Sequence, residues 1–96
     1  MSPINKKKLN LLRKKLDKLD YQLLKTIKKR SEIIKKVLSL KSYKNEIVDK
    51  KRISIILKKI KKESLKRNID PKITQRIWKN MIWSYIDFEK RNFKKK

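Results

Sequence analysis

The sequence predicts an all-α protein of three helices with a very long first one. Three observations carry this: apolar residues recur at steps of three and four, glycine is absent from all 96 residues, and the two prolines, Pro3 and Pro71, lie outside the periodic runs. No stretch alternates as a half-buried strand would, and without glycine an Asn-Gly hairpin cannot be built.

The first helix is read from Asn5 to Lys41, where Leu9, Leu12, Leu16, Leu19, Leu23, Ile27, Ile34 and Val37 form one stripe broken only at Arg30. About 35 residues at 1.5 Å each give a rod on the order of 50 Å, too long for the rest of so small a chain to cover. By itself such a stripe is most simply a coiled-coil seam, which calls for a second subunit. Ser42 to Asn45 is a short loop. Asp49, Ile53, Ile56, Leu57 and Ile60 then share a face of a second helix ending near Arg67. Asp70-Pro71 opens the third helix as an N-cap followed by the favoured proline position. Its buried face is expected to hold Trp78, Met81, Tyr85 and Phe88, with Glu89 among them, and Lys94 to Lys96 form a solvated tail. One domain over residues 1–96 is expected, with no internal repeat.

Lys plus Arg number 32 against 9 Asp plus Glu, a net charge of +23. That points first to nucleic acid or an anionic membrane surface. However, an AT-rich coding sequence can produce the same abundance of Lys, Ile and Asn without selection for binding, so the bulk charge is read evenly as drift or as function. The lysine runs, such as Lys6-Lys7-Lys8, are scattered around the outside, and the aromatic residues gather on the packed face of the third helix; both argue against nucleic acid. No apolar run approaches the roughly 18 residues of a membrane span, no signal-peptide core follows the basic N-terminus, and a cytoplasmic protein without membrane attachment is the expectation.

The absent residue types exclude whole chemistries. Without Gly there is no P-loop or dinucleotide fingerprint, and without His or Cys there is no usual zinc site, thiol nucleophile or imidazole base. Arg, Lys, carboxylates and hydroxyls remain.

Within that limit the polar residues on apolar faces stand out. Arg30 and Lys41 occupy the stripe of the first helix with Arg13 at its margin; Asp49 and Arg52 lie on the second helix and Glu89 on the third. A buried cation demands a counter-charge. Internal pairing, Arg30 with Asp49 or Lys41 with Glu89, would supply some of it. Yet four cations face two acids, an excess suited to a small dianion gripped by arginine forks.

Leu12-Arg13-x-x-Leu16-Asp17-x-Leu19-Asp20-x-x-Leu23-Leu24, then Arg30, Val37, Lys41, Asp49-x-x-Arg52, Asp70-Pro71 and Ile77-Trp78-x-x-x-Ile82 resemble, in order and spacing, the all-helical (type II) chorismate mutases. The resemblance spans residues 9–93 and implies an interlocked homodimer whose active sites draw on both protomers. It also implies that Arg13, from the partner chain, and Arg30 hold the two carboxylates of chorismate. Lys41 and Glu89 would hydrogen-bond the ether oxygen, Arg52 would lie near the carboxylates and Asp49 would meet the hydroxyl. The implied reaction is chorismate to prephenate, an intramolecular Claisen rearrangement on the way to phenylalanine and tyrosine. It needs no cofactor and no metal. Two positions depart from the family pattern: Ile53 stands where an acid commonly contacts the hydroxyl, and Tyr85 where a serine is common. These leave isochorismate-pyruvate lyase activity on the same fold as an alternative.

Overall fold

The computed structural model describes residues 1–94 and comprises helix α1 (Pro3–Leu40), a single 3-10 turn (Lys44–Glu46), helix α2 (Lys50–Lys66) and helix α3 (Pro71–Asn92). No strand occurs among the described residues. Lys95 and Lys96 of the expected tail lie outside the described residues; Lys94 is exposed and follows the end of α3. The chain divides into two compact units, residues 1–33 and the remainder from Ile34 onward, each described separately below.

The first unit consists of the N-terminal part of α1. Its start lies two residues before the expected Asn5, because Ser2-Pro3 is itself an initiation signal: Ser2 Oγ accepts from the Asn5 amide at 3.2 Å, and Pro3 occupies a position where no amide is needed. The expected burial of its stripe does not occur within a single chain. No α1 residue is buried, and Leu12, Leu16, Leu19 and Leu23 are each more than half exposed. The stripe is present as a pattern and faces solvent along the helix.

The second unit holds the end of α1, the loop after it, and the α2–α3 pair. The loop is pinned by Glu46, whose Oε1 accepts from the Ser42 and Tyr43 amides at 3.2 and 2.8 Å. Ile47, 3% exposed, then plugs into the core together with Ile86. Ile53, Ile56, Leu57 and Ile60 turn one half-buried face of α2 inward, as their spacing predicts. Asp49 differs: it is the N-cap of α2, exposed, and its Oδ1 accepts from the Arg52 amide at 2.9 Å. It lies ahead of the buried face, not within it.

A glycine-free chain must end α2 by other means. The amides of Asn68 and Ile69 donate back to the carbonyls of Leu65 and Ser64, and Asn68 takes the left-handed conformation with φ of 55°. This is a Schellman closure with asparagine in the usual glycine position. Asp70 then caps α3 through the Lys72 amide at 2.9 Å. Two polar clasps join α2 to α3: the hydroxyls of Ser64 and Thr74 at 2.7 Å, and Gln75 Nε2 donating to the Leu57 carbonyl at 2.8 Å. Both are invisible to a hydrophobic-pattern reading, since Ser64 and Thr74 are polar residues buried as a pair. On α3 the expected inward residues Trp78, Met81, Tyr85 and Phe88 are half-buried, while Thr74, Ile86 and Glu89 are buried.

Candidate functional site

Glu89 is the most informative side chain. A carboxylate on the packed face of α3, it is 5% exposed, and such burial is affordable only with a counter-charge in contact. Lys41 supplies that charge, its Nζ donating to Glu89 Oε1 at 2.9 Å, with 18% and 7% of the two side chains exposed. The pair joins residues 48 positions apart, whereas the ion pairs of Glu63 and Asp87 join partners three or four positions along the chain. Internal pairing of Lys41 with Glu89 is therefore realised.

The placement of Lys41 follows from local structure. It is the first residue beyond α1, and its amide still donates to the Leu38 carbonyl at 3.1 Å, closing the last turn. The Glu46-pinned loop begins with the next residue. Lys41 is thus fixed at a helix end by backbone bonds on one side and loop bonds on the other. It lines an open cleft of about 680 Å³ with Asn45, Glu46, Val48, Asp49 and Lys50, so the second unit brings together Lys41 and Asp49 in one concavity, and Lys41 and Glu89 in one hydrogen bond. One oxygen of Asp49 is engaged in capping α2.

The other expected site residues are placed as follows. Arg52 is in the first turn of α2 with an exposed side chain, and Tyr85 is half-buried on α3, one turn before Glu89. Arg13 and Arg30 belong to the first unit; Arg13 is exposed and Arg30 half-buried. Ile53, the departure from the family pattern, is half-buried one residue after Arg52. The described residues contain no cluster of acids suited to a metal ion, and no helix among them is long and apolar enough to cross a membrane.

A cation and a buried acid joined at the end of a long helix, next to an open cleft, can bind an anion and direct one hydrogen-bond donor at it. The match to known families agrees with this chemistry: the model for chorismate mutase type II matches residues 12–90. The chain belongs to the type II chorismate mutase family. The matched span includes every expected site residue from Arg13 to Glu89, as well as the Ile53 and Tyr85 departures. No curated protein and no solved structure matched the chain.

Proposed function

We propose that this member of the family converts chorismate to prephenate, in phenylalanine and tyrosine biosynthesis in the cytoplasm, as a homodimer with sites shared between protomers. The observation that carries the reading is the buried Lys41–Glu89 pair, in a chain whose family is established over residues 12–90. A Claisen rearrangement needs no nucleophile or imidazole, which suits a chain without His or Cys. It needs the substrate held in a compact conformer and the charge growing on the ether oxygen stabilised in place.

In this mechanism Arg30, with Arg13 supplied by the second protomer, grips the two carboxylates, and Arg52 adds positive potential. Lys41 donates to the ether oxygen as the carbon–oxygen bond lengthens. Glu89 also serves that oxygen, which only accepts hydrogen bonds, so complex formation takes up one proton from solvent onto the Glu89 carboxylate. Substrate binding then exchanges the Lys41–Glu89 contact for Lys41–substrate and Glu89–substrate contacts. Asp49 meets the hydroxyl with its remaining oxygen, and Tyr85 lies near a carboxylate. The exposed leucines of α1 support the homodimer, because removing their exposed apolar surface from water favours association.

The test is a continuous absorbance assay of chorismate loss, with prephenate measured as product and Arg30→Ala and Lys41→Ala as controls. Turnover that falls about 100-fold or more in Lys41→Ala is expected. Ile53 favours including isochorismate as a second substrate, since the acid that commonly meets the hydroxyl is missing. Pyruvate release from isochorismate without prephenate formation would move the assignment to the lyase. Turnover of neither compound by the purified protein sinks the enzyme reading.

A further inference from the structure

The loop between α1 and α2 is held closed by one exposed side chain. Glu46 Oε1 accepts from two successive amides, Ser42 at 3.2 Å and Tyr43 at 2.8 Å, and the Glu46 amide donates back to the Tyr43 carbonyl at 3.1 Å. Tyr43 and Glu46 thus clasp each other from both sides. The next residue anchors the clasp: the Ile47 amide donates to the Lys44 carbonyl at 3.2 Å, and the Ile47 side chain is 3% exposed in the core. A fixed path therefore runs from the core at Ile47, through the Glu46 carboxylate, to the two amides that follow Lys41. Glu46 also lines the same cleft as Lys41.

We propose that Glu46 is a positioning residue for Lys41: by holding the Ser42 and Tyr43 amides it fixes the Lys41 backbone and so the point from which the ammonium is delivered. The consequence for turnover rests on the proposed function; the clamp itself does not. Helix α1 stops at Leu40, so Lys41 is secured on one side by its amide bond to the Leu38 carbonyl and on the other by the loop alone. A lysine ammonium on its flexible four-carbon stem is only as well placed as the backbone that carries it. A misplacement of about 1 Å at a reacting group costs on the order of 100-fold in rate.

The clamp works by the position of an acceptor and not by charge. Glu46 is exposed, so water screens its field, while a single oxygen at the right distance serves both amides. An amide oxygen has the lone pairs to accept both bonds from the same place, and a side chain one methylene shorter does not reach them. Glu46→Gln therefore removes the charge and keeps the clamp. Glu46→Asp keeps the charge and loses the clamp.

The experiment compares Glu46→Ala, Glu46→Asp and Glu46→Gln with the parent as intact chains. Glu46→Ala and Glu46→Asp should each lower kcat by about 10- to 100-fold with KM changed less than about threefold, and Glu46→Gln should bring kcat to within about threefold of the parent. A second readout uses no substrate. Hydrogen exchange of the Ser42 and Tyr43 amides and of the Lys41 ammonium, followed by nuclear magnetic resonance at one pH, should speed up at least about tenfold in Glu46→Ala and Glu46→Asp and stay near the parent in Glu46→Gln. A Glu46→Asp enzyme as active as the parent beside an impaired Glu46→Gln would overturn the proposal, since charge would then be the operative property. A change confined to KM would also overturn it, by making Glu46 a substrate contact, and so would exchange at Lys41 unaltered in Glu46→Ala and Glu46→Asp. If Glu46→Ala fails to fold, the Asp and Gln variants still decide. If neither chorismate nor isochorismate is turned over, amide and ammonium exchange still decide whether Glu46 fixes Lys41, so the two readings fail separately.

Discussion

At the scale of single residues, the Lys41–Glu89 pair joins stability to the proposed chemistry. Removing the cation by Lys41→Met leaves a 5% exposed carboxylate without its partner, which is expected to destabilise the fold by on the order of 3 kcal/mol in urea unfolding. Glu89→Gln keeps a hydrogen-bonding side chain of the same shape and should cost far less. In turnover the two differ again. Glu89→Gln places an amide donor where the ether oxygen accepts and should retain turnover, whereas Lys41→Met should lower it by about 100-fold or more. A Glu89→Gln enzyme as inactive as Lys41→Met would remove Glu89 from the proposed hydrogen bond to the ether oxygen. Burial of Glu89 was legible from its place on the apolar face of α3. Its choice of Lys41 over other cations was not, because composition offers 32 candidates and only folding selects one.

At the scale of elements, helix ends and polar clasps decide how α2 and α3 are joined. Asn68 holds φ of 55° in a chain without glycine, so Asn68→Gly should be neutral or slightly stabilising, and Asn68→Val should destabilise by about 1–2 kcal/mol. Thermal unfolding of the two variants checks this. The Ser64–Thr74 hydroxyl pair makes a second test. Ser64→Ala leaves Thr74 with only its longer 3.4 Å bond to the Pro71 carbonyl and should cost about 1–2 kcal/mol. Adding Thr74→Val should cost less than the two single changes summed, because one shared interaction is removed only once. The caps on α2 and α3 differ in legibility for a physical reason. Asp70-Pro71 announces a helix start through two residue types that each favour it, whereas the position of Asp49 satisfies the helical period of the apolar face as well as the requirements of a cap. The structure resolves the ambiguity through the Arg52 amide, which donates to the side-chain Oδ1 of Asp49 because the first-turn amides have no carbonyl partner within the helix.

At the scale of the molecule, the exposed stripe of α1 defines the expected assembly. Leu12, Leu16, Leu19 and Leu23 are 55–58% exposed, more apolar surface along one helix than a stable monomer generally leaves in water. Sedimentation equilibrium is expected to give a dimer for the parent chain. The double substitution Leu16→Glu with Leu23→Glu should shift it toward monomer and abolish turnover while the α2–α3 pair remains helical by circular dichroism. A fully active monomer would contradict shared sites.

Periodicity and composition determined the helical class, the three elements, their order, the start of α3 and the inventory of available chemistry. These depend on residues close together along the chain, and the family motifs extend them because spacing along a helix sets which side chains share a face. Only the tertiary structure decided that Lys41 pairs with Glu89, that Asp49 caps α2, that Ser64 meets Thr74, and that Glu46 turns back onto the Ser42 and Tyr43 amides. Each of those joins groups whose meeting depends on the local or tertiary path of the chain. A linear pattern can name the side chains that need partners, but packing determines which partners they receive.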